Sequence, residues 1–407
     1  MAEKKKKTKQ WIYPRHRIVM DVLRFFLAPY TRWKYGVQAD RFEEQGDRGY
    51  LILMNHQTPF DQFFVGMSFR GPLYFIATED IFSKGWISSA IRWLVAPIPI
   101  KKQTTDITAV MNCLRVAKEG GTIALAPEGN RTYSGRTVYM NPAIASLAKR
   151  LKLPIALYRI EGGYGVQPRW SDKIRKGKIY SYVSRVIEPE EYKDLSNEEL
   201  MAMIEEGLDV DESKIEGIYR SNRQAEYLER AIYVCPYCGL AKFESKGNET
   251  ECTCCHRKIT YGEDKKLRGN GFEFPFTFLG QWYDYQEDFI NSLDLTQYEN
   301  SPLFSDRASF SEVIVRKKKE ILRQNAEFTL YGNRVVMDEG TDRELRMAFD
   351  QVTAMAVLGR NKLNIYYDQH VYQLKGDPHF NALKYVNIYH RHHNITTGDT
   401  NGKFLGL

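Results

Sequence analysis

Two residues near the start of this chain have the types and spacing for proton transfer, His56 and Asp61. A neutral imidazole can take a proton from an alcohol near pH 7. A carboxylate beside it fixes the ring's tautomer and stabilises the imidazolium. On one straight helix a five-residue offset would set the two about 140° apart, so the chain must break between them. Thr58-Pro59 supplies the break, as an N-cap followed by proline at the first helical position. The structural alternative is that Asp61 only closes a capping box on Thr58. A second loop, Ala126-Pro127-Glu128-Gly129-Asn130-Arg131-Thr132, has the parts of an anion site. Gly129 allows close backbone approach, and N–H groups around it can face an anion. Arg131 can grip a phosphate with two parallel hydrogen bonds. The alternative is a solvent loop in which Glu128 and Arg131 pair with each other. A third stretch, Ala96-Pro97-Ile98-Pro99-Ile100-Lys101-Lys102, is extended because its prolines exclude helix. It offers Lys101 and Lys102 as further cations, or as an ordinary solvated strand end.

Chemistry of a different kind follows. Cys235-Pro236-Tyr237-Cys238 and Cys252-Thr253-Cys254-Cys255-His256 hold two C-x2-C pairs thirteen residues apart. That spacing suits one tetrahedral Zn²⁺ in a small ribbon. Cys235, Cys238, Cys252 and Cys255 are the expected ligands. Cys254 is spare by spacing, although Cys254 or His256 could replace Cys255. A closed four-ligand site is structural, not catalytic. Five of the six cysteines fall in this cluster, which points to metal and a reducing compartment rather than to disulfides. His390, His392 and His393 read as exposed tail residues.

The elements that must position these residues are legible as alternating patterns. Strands are expected at Tyr50–Met54, Tyr74–Ala77, Thr122–Ala126 and Pro154–Ile160. Helices are expected at Phe60–Phe69, Ser88–Leu94, Asp106–Glu119 and Ala143–Leu151. Such alternation predicts an α/β domain, a mostly parallel sheet flanked by helices. His56 and Glu128 then share the carboxyl edge of that sheet, where ligands bind. Residues 190–230 read as a charged closing helix and connector, and 280–296 as an aromatic, acidic helix. From 309 the pattern becomes a β-meander, with Gly332-Asn333 as a hairpin turn, closed by a helix that starts at Asp377-Pro378. The expected organisation is a basic amphipathic segment over 1–40, the α/β domain over 41–230 and a zinc ribbon over 231–263. A helical connector over 264–308, a β module over 309–393 and a flexible tail over 394–407 complete it.

The net charge of +7 is unevenly placed. Lys4–Lys7 and Lys9 open the chain, and Arg15, Arg17, Arg24, Arg32 and Lys34 continue among aromatics. Ile18, Val19, Val22, Leu23, Phe26 and Leu27 form one apolar helical face. Trp11, Tyr13, Tyr30, Trp33 and Tyr35 flank it as interfacial anchors do. Basic flanks on such a helix favour contact with an anionic membrane surface over packing on its own domain. No apolar run is long enough to cross a membrane, and charges break the N-terminal run too often for a signal peptide.

Taken together and in this order, Asn55-His56-x4-Asp61, Ile98-Pro99-Ile100, Pro127-Glu128-Gly129-x-Arg131 and Leu153-Pro154 resemble the lysophospholipid acyltransferase family related to 1-acylglycerol-3-phosphate acyltransferase. The resemblance covers about residues 10–215. It departs from the family's blocks at Ala96, where glycine is usual, at Lys102, where arginine is usual, and at Leu157, where a second proline is usual. The resemblance implies that His56, oriented by Asp61, deprotonates an acceptor hydroxyl. The acyl donor would be a thioester of coenzyme A or acyl carrier protein. Arg131, with Glu128 and Gly129 shaping its loop, would hold the acceptor phosphate, helped by Lys101 or Lys102, with Asn55 beside the histidine. The implied acceptor is a lysophospholipid such as 1-acylglycerol-3-phosphate, at the cytoplasmic face of a membrane. The C-terminal meander and helix are similar in architecture to a pleckstrin-homology-type module, which would dock lipid or an unidentified protein. The ribbon's mixed charge argues against a nucleic-acid partner. The rival reading is a non-enzymatic membrane adaptor that keeps the fold.

Overall fold

The computed structural model describes residues 10–78, 86–100, 107–313 and 319–398. Helix α1 (Pro14–Tyr35) ends at Gly36, whose left-handed φ of 64° lets its N–H reach Arg32 O. Then follow β1 (Val37–Ala39), β2 (Leu51–Met54), α2 (Asp61–Ser68), β3 (Leu73–Thr78), α3 (Trp86–Val95) and β4 (Ile98–Ile100). After them come α4 (Ile107–Lys118), β5 (Thr122–Leu125), α5 (Ala143–Leu151), β6 (Ile155–Glu161), α6 (Gly163–Val166) and β7 (Ile179–Ile187). Helices α7 (Pro189–Tyr192) and α8 (Asn197–Leu208) close this half. The seven strands form one sheet in the order β1-β7-β6-β2-β5-β3-β4. Neighbours are parallel except β6 and β7.

The central strands dictate this arrangement. Every residue of β2 and β5 is buried, and a four-residue apolar run of that kind needs cover on both faces. Leu51, Leu53, Ile123 and Leu125 face α4, α5 and α8, while Ile52, Met54 and Ala124 face α2 and Tyr35. The expected α/β layers are therefore present. Strands β1 and β7 were not expected. The run Ile179–Ile187 lacks a buried strand's signature because its middle is only partly covered. Ser196 and Glu199 form the capping box that starts α8. Residues 209–227 hold no helix, so the charged stretch expected to be helical through 230 is mostly irregular.

The second half starts with a hairpin, β8 (Val234–Cys235) and β9 (Gly239–Leu240). A four-stranded antiparallel sheet follows: β10 (Phe243–Lys246), β11 (Glu249–Cys252), β12 (Lys258–Tyr261) and β13 (Leu267–Gly269). Helix α9 (Leu279–Ser292) leads to the C-terminal strands. These are β14 (Phe304–Glu312), β15 (Glu320–Leu330), β16 (Arg334–Met337), β17 (Leu345–Ala348), β18 (Val352–Leu358), β19 (Lys362–Tyr367) and β20 (His370–Gly376). They pair antiparallel in the order β17-β16-β15-β14-β20-β19-β18. This is not one meander: β14 joins two of them by pairing with both β15 and β20. The β module thus begins at Phe304 rather than at 309. Helix α10 (Leu383–Thr397) starts later than Asp377-Pro378 and runs past 394, where fraying was expected. The sequence also carries a basic run, Arg316-Lys317-Lys318-Lys319, of which all but Lys319 lies outside the described residues.

The parts are not beads on a string. Tyr133, Tyr164 and Trp170 of the first half share one apolar core with Tyr233 just before β8, Tyr261 of β12, Trp282 of α9, Phe304 of β14 and Tyr385 of α10. A buried ion pair also crosses the boundary, with Lys265 Nζ 2.9 Å from Glu212 Oε2.

Candidate active site

Strands β2 and β5 are parallel neighbours, with Leu53 beside Leu125. Their carboxyl ends therefore deliver His56 and the 127–131 loop to one edge. His56 O accepts from Thr132 N at 3.2 Å, which stitches the two loops together.

His56 Nδ1 lies 2.7 Å from Asp61 Oδ2. Asp61 is fully buried, whereas the His56 ring is 24% exposed. With Nδ1–H donated to the carboxylate, Nε2 is left as an acceptor on the exposed side. Asp61 does more than face the ring. Its Oδ2 also accepts from Gln57 N at 2.7 Å and Thr58 N at 3.0 Å, and its Oδ1 from Thr58 Oγ1 at 2.6 Å. One carboxylate thus holds both the histidine ring and the Thr58 turn that precedes the helix. The break falls slightly later than expected: α2 starts at Asp61 itself, and Phe60 stands at the N-cap.

Glu128 is turned inward. Its Oε1 accepts from His56 N at 2.8 Å and its Oε2 from Val138 N at 3.1 Å. Burial pushes its pKa up to about 8, against the pull of those two N–H donors, and the Asp61 charge pushes the same way. Glu128 therefore clamps the backbone behind the histidine, and no Glu128–Arg131 pair forms. Asn55 is likewise committed, donating to Ile160 O at 2.9 Å and accepting from Ile160 N at 2.7 Å. It ties β2 to β6 through both ends of its amide. Gly129 has φ of 68° and nothing within 4 Å of where a Cβ would stand, so its requirement is the turn, not space.

Arg131 follows that turn. Its Nη1 is buried and has no hydrogen-bond partner in the protein. Burial, and then the like charge of Arg169, lowers its pKa to about 10, while Asp61 opposes the shift. An arginine in that state favours an anion beside it. Tyr35 lies among the same groups, its pKa raised by burial and then Tyr30, and modulated by Arg131, Asp61 and Arg360. Arg169 and Arg360 carried no sequence signal, being single arginines in unpatterned stretches. Lys101 and Lys102 lie outside the described residues.

The cysteine cluster is separate. The sulfurs of Cys235, Cys238, Cys252 and Cys255 all lie within 4.8 Å of one another. Cys235 Sγ is 3.7 Å from Cys255 Sγ, and Cys238 Sγ is 3.5 Å from Cys252 Sγ. Bonds of about 2.3 Å at a tetrahedral zinc would separate sulfurs by about 3.8 Å, so the donor set fits that ion. Cys254 is exposed and outside the group. His256 turns to Glu251 instead, at 3.1 Å. His390, expected to be exposed, is packed inward on α10, and burial pushes its pKa down to about 4.

Helix α1 differs from its expected single apolar face. Ala28, Thr31 and Tyr35 are buried against the body, while Ile18, Val22, Phe25, Phe26 and Trp33 are exposed at helical spacing. Trp86 and Trp93 of α3, a neighbour of α1, are exposed as well. Arg15 lies over the Trp93 ring. No helix among the described residues is long and apolar enough to cross a membrane.

Among solved structures, the 1-acyl-sn-glycerophosphate (LPA) acyltransferase PlsC from Thermotoga maritima is 21% identical to this chain. The likeness covers 47% of this chain and 77% of that one, with a TM-score of 0.39. No curated protein matches the chain. The family model described as Acyltransferase matches residues 37–160, the stretch that holds His56, Asp61, Glu128 and Arg131.

Proposed function

We propose that this protein transfers a fatty acyl group from a thioester of coenzyme A or acyl carrier protein to the hydroxyl of a lysophospholipid. The acceptor proposed is a phosphate-bearing one such as 1-acylglycerol-3-phosphate. One observation carries the reading: a buried carboxylate holds His56 by Nδ1, at the sheet edge where Arg131 has an unpaired guanidinium nitrogen. His56 Nε2 takes the proton of the acceptor hydroxyl as the oxygen attacks the thioester carbonyl. The tetrahedral intermediate collapses with loss of the thiolate, which takes the proton back from the imidazolium. An ester and a free thiol result. Asp61 keeps the ring in the right tautomer and stabilises its charged form. Arg131 binds the acceptor phosphate, and Glu128 and Asn55 hold the loops in place.

The surroundings fit a peripheral enzyme. The exposed stripe of α1, with Arg17, Arg32 and Lys34 also exposed, suits insertion into the headgroup layer of an anionic bilayer at the cytoplasmic face. Zinc on the four cysteines would be structural, because the four sulfurs fill its coordination. The seven-stranded β module with its closing helix is read as a pleckstrin-homology-like unit.

The test is direct. Purified protein is incubated with acyl-CoA or acyl carrier protein thioester and a panel of lysophospholipids and monoacylglycerol. Ester formation that disappears in His56→Ala supports the reading. Vesicle binding without turnover on any acceptor sinks it and favours the adaptor, and turnover that survives His56→Ala removes the assigned base.

A further inference from the structure

The segment that follows β6 holds both loops of the candidate site from behind. Tyr164 N, in α6, donates at 3.0 Å to Oε1 of Gln57, the residue after His56. Tyr164 Oη donates to Tyr133 O at 3.0 Å and accepts from Trp170 Nε1 at 3.1 Å. A turn closed by Ser171 N on Pro168 O, at 3.1 Å, carries Arg169. Arg169 is buried. Its Nη1 donates to Arg131 O at 2.9 Å, and its guanidinium lies over the Tyr133 ring, 4.3 Å from the centroid. One side chain therefore grips the 127–131 loop at Arg131 and again two residues later.

The other arm of the same guanidinium reaches the second half of the chain. Nη2 donates to Val357 O at 3.3 Å. Val357 belongs to β18, which stands at one end of the C-terminal sheet. An end strand has a row of carbonyls that no neighbouring strand pairs, and Arg169 takes one of them. The two donors of a planar guanidinium are fixed relative to each other. A shift of β18 must therefore move Arg131 O with it or break a hydrogen bond. Both acceptors are main-chain carbonyls, so the fork responds to backbone position on each side. Trp170, the next residue, packs edge-on against Tyr261 of β12 with 5.5 Å between ring centroids, which holds the turn itself in place.

We infer that Arg169 is a positioning residue through which the C-terminal β module sets the place of the 127–131 loop beside His56. For its kinetic consequence this rests on the acyltransferase reading, whereas the link itself stands on the contacts. Without the fork, Arg131 O loses a charged donor. The ends of the loop stay tied, by Thr132 N on His56 O and by Glu128 on His56 N and Val138 N. His56 also keeps its bond to Asp61. The expected loss is therefore selective: Arg131 is displaced and acceptor binding suffers, while proton transfer at His56 does not.

Arg169→Met tests this in the full chain, since methionine fills much of the same space and brings no donor. Acyl transfer is measured with 1-acylglycerol-3-phosphate and the acyl thioester each varied in turn. Backbone hydrogen exchange is measured without substrate. The acceptor KM is expected to rise about ten- to a hundredfold, as for a binding group held out of place, with kcat and the thioester KM unchanged. Residues 127–135 and 352–358 should both exchange faster, while 50–54 stay protected. Arg169→Lys, which keeps the charge and a donor for one carbonyl, should lie between wild type and Arg169→Met, and it is read in the same way if the methionine variant does not fold. A lower kcat at unchanged acceptor KM, or faster exchange in only one of the two segments, overturns the inference and leaves the transferase standing. Faster exchange in both segments, with no acyl transfer by wild type to any acceptor, upholds the link and refutes the transferase.

Discussion

Replacing Asp61 by asparagine separates two things that the carboxylate does. Three donors converge on Oδ2: His56 Nδ1, Gln57 N and Thr58 N. An asparagine placed with its oxygen there keeps all three. Turned the other way, its amide would set N–H against the buried Gln57 N–H, whereas Thr58 N, 3.0 Å from both carboxylate oxygens, does not discriminate. Gln57 N–H therefore dictates the orientation, and the histidine keeps its proton on Nδ1. On the other side Thr58 Oγ1, which donates to Oδ1 at 2.6 Å, can rotate to accept from the new amide. Only the negative charge is lost. Opposite charges about 4 Å apart at an effective dielectric of 20 attract by about 4 kcal/mol. That is close to a thousandfold in rate if the imidazolium is fully formed in the transition state. Asp61→Asn should therefore lower kcat about a hundred- to a thousandfold with KM little changed. Stability should fall by about 1–2 kcal/mol, since one charged acceptor becomes neutral. Asp61→Ala loses charge and orientation together and should cost more than ten times as much again. The assay is acyl transfer at saturating acceptor, with thermal melts alongside. A loss under tenfold in Asp61→Asn would refute the claim that Asp61 stabilises the imidazolium. Equal losses in the two variants would refute the claim that the Gln57 N–H fixes the amide.

Phe25→Glu/Phe26→Glu removes two members of the exposed α1 stripe. At about 1.5–3 kcal/mol for each fully buried large apolar side chain, and less at partial insertion, anionic-vesicle binding should fall about a hundredfold, as read by sedimentation. Turnover of a short-chain soluble acceptor should be unchanged. Metal analysis should find one zinc per chain, and a chelator should lower the melting temperature; a zinc-free protein with an unaltered melt removes the metal site. Lys265→Met leaves Glu212 buried without its cation, although Glu212 keeps the Gly162 N–H at 2.6 Å. The expected loss is about 3–5 kcal/mol in denaturant unfolding. Adding Glu212→Gln should recover part of it, because the stranded charge is gone and an acceptor for Gly162 remains, while Glu212 O and Ile215 O still lack the donor that Lys265 gave them.

What was legible in the sequence was local. His56 and Asp61 lie within one strand–turn–helix unit, and the 127–131 loop follows a four-residue apolar run, so spacing and turn chemistry were enough to bring them to one edge. The four cysteines were legible for the same reason. Where the reading failed, the cause was distance or cover. The partners of Asn55 and Glu128 were out of reach, because Ile160 N–H and O for one, and His56 and Val138 N–H for the other, are backbone groups that no side-chain pattern announces. Strand β14 escaped notice because Phe304–Glu312 is rich in serine and acidic residues, and it is in the sheet through pairing on both sides. The α1 helix has two apolar faces, and periodicity alone merged them into one. Arg169 is the extreme case, since it joins Arg131 O to Val357 O, and Val357 is 188 positions away from it.

That distance bears on why the two halves are joined so closely. Arg169 donates to Arg131 O in one half and to Val357 O in the other, so the loop that carries Arg131 is positioned partly by β18, a strand far away in sequence. A loop fixed in that way is only as rigid as what lies between. The cysteine-bearing segment is too small to be rigid on apolar burial alone, and zinc on its four sulfurs would supply what its core cannot. The continuous core running through Trp170, Tyr261, Trp282 and Phe304, together with the buried Lys265–Glu212 pair, carries that rigidity across both boundaries.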